Sequence, residues 1–364
     1  MAPAEPRVDL LGLPRARLRQ ELAPWVDRPY RVEQIYQALN LRGVRAFAEM
    51  TDLGKDLRAQ LAEHFMIGLP AVSSQVTSDD GTCKYLLELR DGATIEAVDI
   101  PEPGRRTFCI SSQAGCALGC TFCVTGFWGA GRNLTAGEIV AQVLTLAAGR
   151  PLPASGLRLV FMGMGEPLLN LASLRPAIEI LAGSISLRRI TVSTAGVIPG
   201  IEELARWERR PNLAVSLHAP DDERRGKVMP INRTHPLADL IAVLRRYPLE
   251  NGRRITFEYI LIRDFNEAPA DADQLVKLLS GLRAKVNLIP VNPDPVLGDR
   301  LQPPDARRID AFRQRLLQRG MTATIRRRRG DDVSAACGQL RAHGRAPRGF
   351  RGRVKLETKT KTKS

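Results

Sequence analysis

Residues 109–133 read CISSQAGCALGCTFCVTGFWGAGRN, and the fold is decided by what such a stretch needs around it. Cys116, Cys120 and Cys123 stand in a C-x3-C-x2-C spacing, with Cys109 seven residues upstream. Of the other two cysteines, Cys337 lies near the far end of the chain and Cys83 reads as a small apolar residue. Three thiolates within eight residues allow a zinc site lacking its fourth ligand, an iron–sulfur site, or coincidence, and their density argues against coincidence. Structural zinc sites draw cysteines in pairs and close with a fourth Cys or His. No second pair is present here. Iron–sulfur clusters are commonly held by four thiolates, so three leave one iron open to a substrate or a cofactor.

Outward from this loop the texture is α/β. After the punctuated linker Pro101-Glu102-Pro103-Gly104, strand-type runs fall at 107–111, 158–162, 189–193, 213–217, 255–262 and 285–289. Helical patterns separate or follow them at 136–148, 171–182, 201–207, 237–247, 271–279 and 305–319. Thr135 with Glu138 gives the first helix a capping-box start. Strands alternating with helices of this length predict parallel β/α units, whose chemistry sits beyond the carboxyl ends of the strands. The unusual residues fall there: the cysteine loop after the first strand, residues 163–167 after the second, 193–196 after the third, 216–218 after the fourth and 291–293 after the sixth. One face gathering residues from five units predicts a partial, open (β/α)6 barrel of the TIM type. Ahead of it, two amphipathic patterns between residues 29 and 67 predict a small helical module. Runs at 84–89 and 94–100, joined across Asp91-Gly92, predict a β-ribbon. The expected division is 1–75 helical module, 76–104 ribbon and linker, 105–343 barrel, and 344–364 basic, disordered tail.

Composition narrows the class of partner. A chain of 364 residues with 44% hydrophobic residues fills a sizeable core. The arginines at 7, 15, 17 and 19 leave no uninterrupted apolar signal segment, and no run approaches the ~18 apolar residues of a membrane span. A cytoplasmic protein is expected, where cysteines serve as ligands or catalysts more often than as disulfides. The charge is +15, from 54 Lys and Arg against 39 Asp and Glu, with basic runs at 326–329 and over the last twenty residues. Clustered positive charge predicts a polyanionic partner, nucleic acid, although a solubilising tail also accounts for the second run.

The cysteine spacing on the loop after a first barrel strand resembles the signature of the radical S-adenosylmethionine superfamily. The strings FMGMGEPL, VSTAGV, SLHAP, MPINR, FEYIL, VNLIPVNP and AACGQL, in this order, resemble one branch of it, the ribosomal RNA adenine-C2 methyltransferases. The resemblance implies that Cys116, Cys120 and Cys123 hold a 4Fe-4S cluster whose fourth iron takes S-adenosylmethionine, and that reduction yields a 5′-deoxyadenosyl radical. It implies a relay in which Cys337 is methylated by one S-adenosylmethionine and a second one activates that methyl group. The methylene then adds to the adenine carbon, and Cys109 releases the product by forming a disulfide with Cys337. The chemistry agrees: adenine C2 is electron-poor and has no lone pair to attack a methyl donor, whereas a carbon radical can add, and a thiolate is the competent nucleophile for the first methylation.

By the same resemblance Gly165, Glu166, Ser193, Ser216, Leu217, His218 and Asn292 contact the cofactor. The plain alternatives are a β/α turn for Gly165 and Glu166, a buried strand-capping ring for His218 and a turn residue before Pro293 for Asn292. Glu96 matches the family's proton acceptor, while its place on a ribbon fits an exposed charge as well. The implied partners are 23S ribosomal RNA, with transfer RNA as an extension, and a one-electron donor of the flavodoxin or ferredoxin kind; the expected state is a monomer. Two rivals stay open: an adenosine C8 methyltransferase of the antibiotic-resistance type, and a non-catalytic RNA-binding protein with zinc at the three cysteines.

Overall fold

The computed structural model describes residues 7–147, 156–298 and 301–341; the tail expected at 344–364 lies outside the described residues. The amino-terminal part pairs β1 (Val8–Asp9) in parallel with β2 (Phe65–Met66) around helices α1 (Arg15–Leu22), α2 (Pro29–Gln37) and α3 (Lys55–His64). Leu18, Leu22, Ile35 and Leu61 are fully buried and belong to the same apolar core as the barrel residues Leu159 and Phe257. Each such side chain contributes about 1.5–3 kcal/mol through burial, so the module is joined to the barrel by a shared core.

Strands β3 (Ala71–Thr77), β4 (Cys83–Glu88), β5 (Thr94–Glu102), β6 (Arg105–Cys109), β7 (Leu157–Phe161), β8 (Ile190–Thr194), β9 (Asn212–Ser216), β10 (Ile255–Leu261), β11 (Ala284–Pro290) and β12 (Ala323–Ile325) form one sheet. They lie in the order 12-11-10-9-8-7-6-5-4-3, with β3 and β12 as its unpaired edges. Pairings from β6 to β12 are parallel, and those from β3 to β6 are antiparallel. The six expected barrel strands are present, joined by the short β12 ahead of the arginine run. The ribbon closes at Asp91-Gly92 as its turn residues predict, and it continues the barrel sheet through β5 and β6. The boundary drawn between residues 75 and 76 falls inside β3.

Helices α4 (Val124–Trp128), α5 (Ala136–Ala147), α6 (Leu171–Leu181), α7 (Ile198–Arg206), α8 (Asp222–Val228), α9 (Leu237–Arg246), α10 (Pro269–Leu278) and α11 (Ala306–Gln318) make the crossovers. The capping box forms: Glu138 N–H donates to Thr135 Oγ1 at 3.1 Å, and Thr135 N–H donates to the Glu138 carboxylate at 2.8 Å. Asp305 caps α11 by accepting from Arg308 N–H. Alternation along the strands separates two faces. Leu159, Phe161, Phe257, Tyr259, Val286 and Leu288 are buried under the helices. Their neighbours Val160, Thr256, Glu258, Lys285, Asn287 and Cys109 line a cavity of ≈ 880 Å³ on the concave side. Parallel strands buried on both faces read as continuous apolar runs. The polar second face here marks a half-open barrel with a usable interior.

Candidate active site

The cysteine loop leaves β6 at Cys109 and is held by its own backbone. Cys116 N–H donates to Gly129 O at 2.9 Å and Cys123 N–H to Cys120 O at 3.1 Å, while Thr121 N–H reaches Val228 O of α8 at 3.0 Å. The three cysteines are partly exposed as residues. Burial of the sulfurs nonetheless pushes the Cys116 thiol up to about 12, Cys120 well above its ordinary value and Cys123 upward. Buried thiols stay protonated until something replaces the proton, which a metal does.

Across the loop lies the segment that follows β12. Val124 N–H donates to Gly338 O at 2.6 Å, and Thr125 Oγ1 donates to Leu340 O at 2.6 Å. A Cβ at Gly338, whose φ is +85°, would stand 2.7 Å from Phe122 O, so only glycine lets the two backbones meet. Asn292 Nδ2 donates to Cys337 O at 3.1 Å and Gln339 Nε2 to Pro293 O at 2.9 Å. This docking brings Cys337 to the same cavity wall as Cys109, which is 5% exposed at the end of β6. Burial, then the neighbouring Cys337, pushes the Cys109 thiol up to about 12, against a lowering by the Arg326 guanidinium. Both cysteines are free thiols.

The other strand ends surround this pair. Gly165 has φ +96°, and a Cβ there would stand 2.5 Å from Gln113 Cβ. Glu166 is 3% exposed, and its carboxylate accepts from Ala195 N–H at 2.7 Å and Leu168 N–H at 3.0 Å. Burial outweighs these donors and pushes Glu166 up to about 7. Ser193 alternates with buried neighbours on β8, and Ser216 ends β9 after three buried residues, opposite Glu258 of β10. Leu217 is fully buried, its N–H donating to Glu258 O. His218 has φ +62°, is 2% exposed and packs edge-on to Phe122 at 4.6 Å. Its Nδ1 accepts from Ile260 N–H at 3.1 Å, and burial lowers its pKa to about 3, so the ring is a neutral, fixed strut with its proton on Nε2. Asn292 keeps Oδ1 buried with no partner among the described residues.

Glu96 departs from the picture of an exposed ribbon charge. It is 1% exposed, pairs with Lys84 Nζ at 3.2 Å and accepts Arg341 N–H at 2.9 Å, while Lys84 also donates to Ser334 O. Lys84 and Glu96 thus grip both sides of the Cys337 segment. Cys83 is buried in the apolar core. Of the arginine run, Arg326 stands close to Cys337, Glu258 and Cys109, Arg328 donates to Val291 O, and Arg329 pairs with Asp80.

Sequence reasoning passed over Arg225, the largest fully buried side chain, which donates to Leu217 O, Asn232 Oδ1, Ala195 O and Ser216 O. It sits in DERRGKV, a string whose charges read as a solvated helix, so no local signal betrays it. Lys84 was equally silent, a single charge in an apolar run.

The donor set tests whether the implied groups fit. Among the described residues no three His, Cys, Asp or Glu side chains converge as a single metal ion requires. The three thiols suit a group offering a separate iron to each, as a cluster does, better than one zinc ion. Thr121 Oγ1 within the loop and Asn292 Oδ1 at its rim are buried polar atoms without partners among the described residues, of the kind that a bound ligand satisfies.

Residues 110–276 match the model of the Radical SAM superfamily, and residues 8–67 that of the ribosomal RNA large subunit methyltransferase N-terminal domain. The chain is 45% identical over 348 residues to the dual-specificity RNA methyltransferase RlmN of Anaeromyxobacter dehalogenans, covering 92% of each. It is 48% identical over 328 residues to that of Syntrophobacter fumaroxidans, covering 88% of this chain and 95% of the relative. A crystal structure of a radical SAM methyltransferase from Sphaerobacter thermophilus superposes with a TM-score of 0.85 at 44% identity, over 92% of this chain and 99% of that one. The family implies a 4Fe-4S cluster and S-adenosylmethionine. The chain belongs to the family of the dual-specificity RNA methyltransferases, radical SAM enzymes on an open β/α barrel.

Proposed function

We propose that this enzyme methylates C2 of an adenosine in the peptidyl-transferase region of 23S ribosomal RNA, and also the adenosine 3′ of the anticodon in transfer RNA. The observation that carries this reading is the shared cavity of Cys109 and Cys337, cysteines from opposite ends of the barrel sequence, beside the loop of Cys116, Cys120 and Cys123. The three loop cysteines hold the cluster. Gly165, Glu166, Ser193, Ser216, Leu217, His218 and Asn292 form the shelf for S-adenosylmethionine. Bound there, these groups supply a methyl donor and one-electron cleavage chemistry.

The chain's own residues do the rest. Cys337 accepts a methyl group on sulfur, carries it as a one-carbon bridge to the adenine, and is released when the Cys109 thiolate attacks its sulfur. Glu96 takes the proton lost from the adduct; Lys84 Nζ and Arg341 N–H hold its carboxylate in place. Two S-adenosylmethionine molecules are consumed per turnover, and the disulfide is reduced before the next. The arginines at 326–329 bind RNA phosphates beside Cys337. The module at 1–75 and the ribbon at 76–104 serve as accessory parts to the barrel at 105–343. The enzyme works as a cytoplasmic monomer fed by a flavodoxin- or ferredoxin-type donor. No described helix is long and apolar enough to cross a membrane.

Nucleoside mass spectrometry of ribosomal and transfer RNA from strains with and without the gene tests the proposal. Loss of 2-methyladenosine supports it. An unchanged profile, or a change confined to 8-methyladenosine, overturns it.

A further inference from the structure

The cavity is lined by many arginines together with Lys285, and by two carboxylates, Glu102 and Glu258. Glu102 is held by Arg105 at 2.5 Å. Glu258 has no ion pair among the described residues, although Arg326 and Lys285 act on it from farther off. It is 4% exposed and on the concave face of β10. Its Oε2 accepts from Asn287 Nδ2 at 2.7 Å, and Asn287 Oδ1 in turn accepts from Thr324 Oγ1 at 3.2 Å. Strand register builds this chain: Ser216, Glu258, Asn287 and Thr324 stand opposite one another across β9 to β12. The row fixes one carboxylate oxygen and leaves the other toward the cavity.

An anion aimed into a cavity that receives a polyanion weakens binding by repulsion. Such a group persists when it discriminates between ligands. A base meets a carboxylate with a neutral N–H donor, which adenine supplies through its exocyclic amine at C6. Cys109 lies on β6, four strands from β10, whereas the Cys337 segment follows β12, two strands from it, and Cys109, Cys337 and Glu258 all line the cavity. Adenine carries C2 and its amine on one edge, on either side of N1, and Arg326 stands close to Cys337 and Glu258 alike, so a base joined through C2 to the Cys337 sulfur holds its amine on the Glu258 side of the cavity.

We propose that Glu258, oriented by Asn287 and Thr324, is a specificity-determining residue that accepts a hydrogen bond from the exocyclic amine of the target adenine. This rests on the adenine-C2 reading above and adds the group that selects the base. The test uses the reconstituted full-length enzyme and two target RNAs, carrying adenosine or purine riboside, which lacks the amine, at the modified position. The parent prefers adenosine in kcat/KM by roughly 10²-fold, the worth of one hydrogen bond to a charged group. Glu258→Ala reduces that preference to within about threefold by slowing adenosine, and Glu258→Gln, whose amide oxygen still accepts, keeps part of it. Iron content, the visible spectrum, S-adenosylmethionine binding and methylation of Cys337 stay at parent values in both variants.

If Glu258→Ala fails to assemble the chromophore, Glu258→Gln decides alone, with an expected loss of about tenfold in preference. A parent-like preference in the folded variants overturns the proposal. So does loss of S-adenosylmethionine binding, which would assign the carboxylate to the cofactor. A parent that methylates C2 in neither RNA overturns the functional reading and this inference together.

Discussion

The two cysteine-bearing segments that meet at the cavity are held to different degrees by backbone and by side chains. The loop of Cys116, Cys120 and Cys123 is fixed by backbone hydrogen bonds within itself and to α8. The segment carrying Cys337 has a backbone tie to that loop, Val124 N–H to Gly338 O, and is otherwise anchored by side chains: Asn292 to its carbonyl, Lys84 to Ser334 and Glu96 to Arg341. A cofactor site needs ligands held rigidly. A relay cysteine must serve a methyl donor, a base and a second thiol in turn, and side-chain ties can be exchanged without breaking the sheet. On the proposed reading, the difference separates a part that makes the reactive species from a part that carries it.

The largest effect comes from breaking the fixed part. Cys120→Ala should remove the brown chromophore and lower activity by more than about 10³-fold, read by absorption and product mass. Breaking the carrying part leaves the chromophore intact: Cys337→Ala should abolish product and adduct alike, whereas Cys109→Ala should trap a protein–RNA adduct visible on denaturing gels. A retained adduct in Cys337→Ala would sink the relay. Lys84→Met sharpens the comparison, since it frees Glu96 and Ser334 together. Activity should fall roughly tenfold with parent-like iron content, about 1.4 kcal/mol of lost positioning.

The smallest effect is a pH dependence of the cofactor-free protein. Glu166 rises from the usual carboxylate value to about 7 through burial. Its folded pKa lies above its unfolded one, so its contribution is full below about pH 4.5 and is lost as pH rises through 7, roughly 3 kcal/mol at the upper limit. Glu166→Gln should flatten the denaturation midpoint across that window, and an unchanged slope would refute the assignment.

Much of the fold was readable because period and punctuation are local. Thr135 with Glu138 announced a helix start, and Asp91-Gly92 announced a turn, each through atoms only a few residues apart. Helix starts were less well read: α7 begins at Ile198 rather than 201, because Pro199 suits a first turn that the apolar pattern does not mark. Cys116, Cys120 and Cys123 carried their meaning in their spacing. Arg225 did not, for a charged helix looks solvated until neighbouring strand ends close over it.

By itself, then, the sequence determined the repeating β/α pattern, the three-cysteine loop and the basic character of the chain, because each depends on residues near one another along it. Tertiary structure alone decided that Cys337 lines one cavity with Cys109, that Glu96 is buried beside Lys84, and that Glu258 is left as the cavity's carboxylate without an ion pair among the described residues. The physical reason is strand register: a carboxylate becomes a clamp, a base or a selector according to what the adjacent strand sets opposite it, and that choice is made by packing.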